Sequence, residues 1–174
     1  MSKSSPDSKV TFDDISSMSA ELSAPDGGQG PVANDVNARF IEEFRANGGQ
    51  IPGELGASID FLLVTVIGAK SGKHRTIPLA YFNLDGRIVI IASMAGSPRH
   101  PTWYINMRAN PQVTVEIGSE TYQANAVEIS GADRDRLFAR VCEHAPVFAS
   151  YQAKTARKIP VVELVHKEWP TDAK

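Results

Sequence analysis

The chain's 174 residues include a single cysteine, Cys142, which excludes an intramolecular disulfide and any zinc or iron–sulfur centre built from several cysteines. Cys142 falls in a helical pattern with Leu137, Phe138 and Val141, so it reads as a packed core thiol rather than a nucleophile. No apolar run reaches the about 18 residues that a membrane span needs, and Phe61–Ile67 is far shorter. The opening Met-Ser-Lys-Ser-Ser-Pro-Asp lacks the apolar stretch of a signal peptide. The expected location is therefore the cytoplasm, with peripheral membrane contact as the alternative. A net charge of −2 leaves no broad basic surface, which excludes a general nucleic-acid binder. No Ser/His/Asp grouping or pair of carboxylates stands out. His74, His100, His144 and His166 fall on different elements, so no metal site is expected. Such a chain suits chemistry carried by a cofactor.

Positive charge stands out locally in one place. The apolar run Phe61–Ile67 stops at Gly68, a second begins at Ile77, and between them stand Lys70, Lys73, His74 and Arg75 with no acid among them. Gly68 and Gly72 permit positive φ, so the turn is expected to aim its N–H groups at one point and seat a phosphate or poly-carboxylate. A solvated basic hairpin tip is the plain alternative. The turn is not a phosphate-binding P-loop: three residues separate its glycines, His74 replaces the Ser or Thr, and a strand follows. A G-x-G-x-x-G dinucleotide fingerprint is also missing.

Composition, 42% apolar and 22% charged, is that of a globular protein, and the length suits one domain. Residues 1–31, rich in Ser, Asp, Gly and Pro, read as a flexible tail with a transient helical turn near Ile15–Leu22; residues 32–169 form the domain. A helix is expected over Asn34–Asn47, capped by Asn34 and stopped by Gly48-Gly49, then a Gly/Pro loop over 48–59. Phe61–Ile67 predicts a strand covered on both faces or closed into a barrel. Thr76–Asn83 is expected to pair with Arg87–Ser93 through the hairpin signal Asp85-Gly86. A short helix opens at Pro101 and ends before Pro111. Strands follow at Val113–Ile117 and Thr121–Ile129, the second with an apolar phase slip between Ala126 and Val127 that suggests a bulge. Ser130 and Asp133 resemble a capping box for a helix over 132–144, which Pro146 breaks. A helical piece through Tyr151–Lys154 and a strand over Pro160–His166 complete an α+β fold, an antiparallel barrel with helices outside.

Two further stretches invite a ligand. A small-residue loop (Ala95, Gly96, Ser97) joins Ser93 to the helix opening at Pro101. Gly96 would let a planar ligand approach the backbone, while the helix start attracts anions. Trp103 and Tyr104 are equally readable as core aromatics. Tyr151 can lie over a pocket mouth and donate a hydrogen bond to a substrate oxygen, or simply pack on the surface.

The residues Ile41–Gly49, Gly68-x-Lys-Ser-Gly-x-x-Arg75, Ala92-Ser93, Pro98-Arg-His-Pro-x-Trp-Tyr-x-Asn106, Ala109-Asn-Pro-x-Val113 and Ile159-Pro-Val-Val together resemble the deazaflavin-dependent nitroreductase family over roughly residues 34–166. The resemblance implies an antiparallel split β-barrel related to proteins that bind flavin mononucleotide (FMN). It also implies coenzyme F420, a deazaflavin with a phosphate and a polyglutamate tail, and a small-molecule hydride acceptor. Lys70, Ser71 and Arg75 would hold phosphate and tail, with Thr76, Ile77, Pro78, Leu79 and Ala80 running along the cofactor. Ile91, Ala92, Ser93 and Met94 would flank the ring. Thr102, Trp103, Tyr104, Ile105 and Asn106 would contribute from the helix start, and Phe148 would line the pocket. Ser93 and Tyr151 are the candidate catalytic residues. Nitro-reducing members carry tyrosines where this chain has Ala80, Ala145 and Phe148, and basic residues common in the family give way to Ala69 and Met94. The implied acceptor is accordingly a quinone, an enone or another activated double bond. An FMN enzyme and a non-catalytic carrier of F420 or a lipophilic ligand are the alternatives. The chain is expected to be a monomer or homodimer.

Overall fold

The computed structural model describes residues 31–53, 56, 57 and 59–167, the side chains of 31–34 excepted. The expected tail over residues 1–31, with its helical turn near Ile15–Leu22, lies outside the described residues, apart from Pro31. Helix α1 spans Pro31–Ala46, so Asn34 sits inside it rather than capping it. Its end is closed by the Gly49 N–H donating to the Phe44 carbonyl at 2.7 Å.

Strand β1, Phe61–Ile67, is covered on both faces as its unbroken apolar run requires. Leu62, Val64 and Val66 face one buried cluster, while Leu63 packs the other way against Phe40, Phe44 and Ile51. With Leu63 fully buried, Leu63→Ala should lower unfolding free energy by about 2–5 kcal/mol. Urea unfolding followed by circular dichroism checks this.

Strand β2, His74–Ala80, forms a hairpin with β1 across the cationic turn, in a register running from Phe61 opposite Ala80 to Ile67 opposite His74. The expected Thr76–Asn83 strand does not stay whole. Its first part pairs with β1, whereas β3, Phe82–Leu84, pairs with β4, Arg87–Ile91. Tyr81 is the break, its N–H donating to the Asp60 carbonyl at 3.0 Å. Asp85 and Gly86 make the tight turn between β3 and β4, with φ 56° and 86°.

The remaining strands are β5, Gln112–Ile117, β6, Glu120–Ile129, and β7, Val161–His166. All seven form one antiparallel sheet in the order β2-β1-β5-β6-β7-β4-β3. β2 and β3 sit at opposite ends of that order yet are separated in sequence by Tyr81 alone. The sheet must therefore curl until its ends approach, giving an antiparallel half-barrel in an α+β fold.

β6 contains no bulge: its register to β5 and then to β7 is uninterrupted. The phase slip has another cause. Ala124 and Ala126 face the barrel interior, Val127 is 43% exposed on the opposite face, and Ile129 on that opposite face meets a second cluster. That cluster is built by helix α3, Gly131–His144, whose Leu137, Phe138 and Val141 pack on Val89, Ile91 and Val161. The expected capping box does not form. The Ser130 side chain makes no cap bond, and the Asp133 carboxylate turns to Arg87 at 3.1 Å. Arg87 also binds Glu163 at 2.8 Å, tying β4, β7 and α3 together. Both carboxylates hold the Arg87 guanidinium above its ordinary pKa, and Arg87 in turn holds the Asp133 carboxyl below the usual range. Helix α2, Thr102–Ala109, sends Tyr104 and Met107 into the interior, and α4, Val147–Ala153, follows Pro146.

Candidate functional site

The cationic turn, Gly68–Lys73, is closed from within. The Gly68 N–H donates to the Lys73 carbonyl at 2.8 Å, the Gly72 N–H to the Gly68 carbonyl at 2.9 Å, and the Lys73 N–H to Ser71 Oγ at 3.2 Å. The turn's own oxygens take three of its six N–H groups, so those three do not aim at a ligand as expected. Only Gly72 takes positive φ, 68°; a Cβ at Gly68 would lie 2.5 Å from Ser71 Oγ and would turn that hydroxyl away from the Lys73 N–H. What the turn offers is side-chain charge. Lys70, Ser71, Lys73, His74 and Arg75 are all exposed, and among the described residues no carboxylate pairs with Lys70, Lys73 or Arg75. An unneutralised cationic tip of this kind fits a polyanionic tail.

One side chain ties the tip to helix α2. Asn106, 8% exposed, accepts the Ala69 N–H on Oδ1 at 3.0 Å. The helix start and the cationic turn are thus fixed to each other. Pro101 is the N-cap of α2 rather than its first turn. Trp103 is half-buried against the interior cluster, edge-on to Tyr104, while Ile105 is 52% exposed. Burial, with a hydrogen bond to Glu128, pushes the Tyr104 phenol up to about 12. Along β2, the Thr76 hydroxyl bonds Thr65 Oγ1 at 2.7 Å. Ile77 and Leu79 face the interior, Pro78 is buried opposite Leu63, and Ala80 is half-buried.

The loop after β4 makes a second group. Ile91, Ala92, Ser93 and Met94 are all buried. The chain then turns through three consecutive left-handed residues, Met94 at φ 45°, Ala95 at 52° and Gly96 at 82°. Non-glycine residues here cost about 1–2 kcal/mol each, so the surroundings must hold the turn. Gly96 does not open the backbone to a planar ligand. A Cβ there would lie 2.8 Å from the Tyr151 carbonyl oxygen and 3.0 Å from Lys154 Cβ, so this glycine admits the end of α4 instead. On α4, Phe148 stands edge-on to Phe82 and to Tyr151, each at 5.6 Å between ring centres. Among the described residues the Ser93 and Tyr151 hydroxyls make no hydrogen bond, which leaves both for a ligand.

Two cavities are lined by neither Ser93 and Met94 nor Phe148 and Tyr151. One of about 230 Å³ lies between α2 and β6, lined by Tyr104, Arg108, Glu128 and Val162; another of about 270 Å³ is lined by Asp60, Tyr81, Phe82, His144 and Ala145. The cationic turn lines neither. It stands beside β2 at the sheet's edge. Cys142 packs half-buried on the α3 cluster, and burial pushes its thiol up, as for a core residue.

Sequence reasoning missed Arg157. Its guanidinium bonds the carbonyls of Ala92, Ser93 and Ser97 and also His100, beneath the left-handed turn. Its partners lie about 60 residues away in sequence, and no local pattern announces them.

Residues 37–166 match the model of the F420H(2)-dependent quinone reductase family, and the chain belongs to that family. By that membership it is an F420-dependent oxidoreductase. It is 35% identical over 127 residues to an F420H(2)-dependent quinone reductase of Mycobacterium tuberculosis (strain ATCC 25618 / H37Rv), covering 71% of this chain and 85% of the relative. A solved F420-H2 dependent reductase is 40% identical over 60% of this chain and 92% of its own, with TM-score 0.55. A solved domain-swapped dimer is 35% identical over 73% of this chain and 92% of its own, with TM-score 0.58. Among the described residues, no helix is long and apolar enough to cross a membrane.

Proposed function

We propose that this chain reduces quinones, enones or related activated double bonds with hydride from reduced F420, and that the cationic hairpin tip is the handle by which it holds that cofactor. The observation that carries this reading is the set of exposed, acid-free cations on a turn anchored to α2 through Asn106. Lys70, Ser71 and Arg75 bind the phosphate and the acidic tail, and the β2 edge from Thr76 to Ala80 supports the body of the cofactor. Ile91 to Met94 wall the ring, with Thr102 to Asn106 and Phe148 completing the seat. When bound, the reduced deazaflavin supplies a hydride from its ring carbon.

The remaining work falls to the chain's own residues. Buried Ile91, Ala92 and Met94 exclude water. Ser93 and Tyr151, with hydroxyls not engaged elsewhere, orient an acceptor oxygen so that its electrophilic carbon stands within van der Waals reach. Ala80, Ala145 and Phe148 stand where nitro-reducing members of the resembled family carry tyrosines, and Phe148 meets Phe82 edge-on, which leaves an apolar pocket that favours a flat quinone over a nitro compound. The solved domain-swapped relative supports a homodimer over a monomer, and the cytoplasm remains the proposed location.

The double variant Ser93→Ala, Tyr151→Phe should lower kcat for menadione by about a hundredfold, two hydrogen bonds to the reacting oxygen being removed. Oxidation of reduced F420, followed by its absorbance, reads this directly; full turnover in the double variant would refute the assignment. Binding of F420 with no turnover across an acceptor panel would instead favour the carrier.

A further inference from the structure

We propose that Arg157 is a positioning residue for hydride transfer: its guanidinium holds the Ala92–Ser97 wall in place, and a proton on His100 releases that wall. The proposal rests on the reading above that this wall flanks the cofactor ring.

Arg157 Nε donates to the Ser97 carbonyl at 2.9 Å, and Nη2 to the Ser93 carbonyl at 2.9 Å. Nη1 and Nη2 both reach the Ala92 carbonyl at 3.2 Å, and Nη1 lies 3.2 Å from His100 Nδ1. The fork thus bridges both ends of the left-handed Met94–Gly96 turn, the segment whose backbone most needs external support. Among the described residues no carboxylate pairs with Arg157, and burial lowers its pKa. Its charge is committed to three carbonyl oxygens and to His100 Nδ1.

Arg157 is itself anchored. Its carbonyl accepts Gln152 Nε2 at 2.8 Å, and Gln152 Oε1 accepts the Ile159 N–H at 3.0 Å and Arg134 Nη2 at 3.1 Å. Arg134, 7% exposed on α3, also donates to the Ile159 carbonyl. A polar chain therefore runs from α3 through Gln152 and Arg157 to the Ser93 wall.

A guanidinium has no lone pair, so His100 Nδ1 must be the acceptor and the ring proton must sit on Nε2. Protonating Nδ1 would set donor against donor and cation against cation. The groups facing His100 are Arg157 and Arg108, which disfavour its cation, Glu128, which favours it, and the Tyr104 ring, tilted at 4.8 Å. Burial and Arg157 keep the imidazole below its ordinary value. The stabilisation from neutral His100 is therefore complete above about pH 6.5 and is lost as pH falls through the lower folded-state value.

Three variants test this: Arg157→Gln, Arg157→Lys and His100→Gln. In Arg157→Gln, amide hydrogen exchange of the cofactor-free protein should quicken over residues 92–97 while the strands hold. Menadione turnover should fall about tenfold or more through misplacement of the wall. Affinity for oxidised F420 should fall less than turnover does, since the cationic grip at the tip is untouched while the wall beside the ring loosens. Arg157→Lys should recover part of the turnover, because one ammonium cannot span four acceptors. His100→Gln keeps an acceptor that does not titrate, so the wild type's fall in kcat on acidification should vanish. Unchanged exchange and kcat in Arg157→Gln, or an acid limb that survives His100→Gln, would overturn the proposal. If the wild type binds no F420, the functional reading fails instead, and the exchange data alone decide whether the clamp exists.

Discussion

Replacing Lys70 and Arg75 together by glutamate lowers affinity for oxidised F420 by about a hundredfold or more. Two charge-assisted contacts of about 1.5 kcal/mol each are lost and become repulsive. The tip bears these side chains exposed and without an acid partner, so reversing them should leave the barrel intact and change only what the tip attracts. Exposed charges are screened, so the wild-type affinity should itself weaken as salt rises, and the double variant should show a flatter or inverted dependence. Fluorescence titration of the deazaflavin at two ionic strengths, beside a thermal melt, separates this from unfolding. Unaltered affinity in a folded variant would show that the tip holds nothing.

The second large effect lies at Gly96. Gly96→Ala places a Cβ in a left-handed backbone at φ 82°, only 2.8 Å from the Tyr151 carbonyl. The conformational cost and the forced shift of α4 together should destabilise the fold by about 2–4 kcal/mol. Turnover should fall about tenfold or more, because the shift acts on the Ser93 wall and on Tyr151 at once. Gly72→Ala is the internal comparison. It has similar φ, 68°, but nothing within 4 Å of the added carbon, so it should cost only the conformational share of about 1–2 kcal/mol. Calorimetry on the two variants checks the contrast, and equal destabilisation would show that close packing at Gly96 is unimportant.

The parts of the fold that could be read from sequence are those whose signal is local. A short apolar run bounded by turn residues reads as a strand covered on both faces or closed into a barrel, and β1 has Val64 and Leu63 buried on opposite sides. Asp85-Gly86 supplies the two positive φ values of a tight hairpin within its own residues. The β2–β3 split was not legible, because Tyr81 continues the apolar pattern and only the closing of the sheet forces a break there. The supposed bulge in β6 failed for a related reason: a strand that passes from one core to another changes its buried face without changing its register.

The site divides in the same way. Acid-free charge between two apolar runs is visible in a sequence, and the turn stands where it was expected. How its N–H groups are spent depends on Asn106 and on the turn's own oxygens, which no local pattern shows. Arg157 was passed over because its acceptors are backbone atoms, which any sequence has everywhere. Gly96 was correctly marked as special but given the wrong neighbour, a ligand in place of α4.

The hairpin tip is proposed to grip an acidic handle. The most direct measurement compares equilibrium binding of F420 with long and short polyglutamate tails, of tailless deazaflavin and of FMN, in wild type and in the Lys70→Glu, Arg75→Glu variant. Affinity should rise with tail length in the wild type, lie lowest for FMN and the tailless ring, and lose its length dependence in the variant. Equal affinity for all four ligands, or a length dependence that persists without the two cations, would contradict the account.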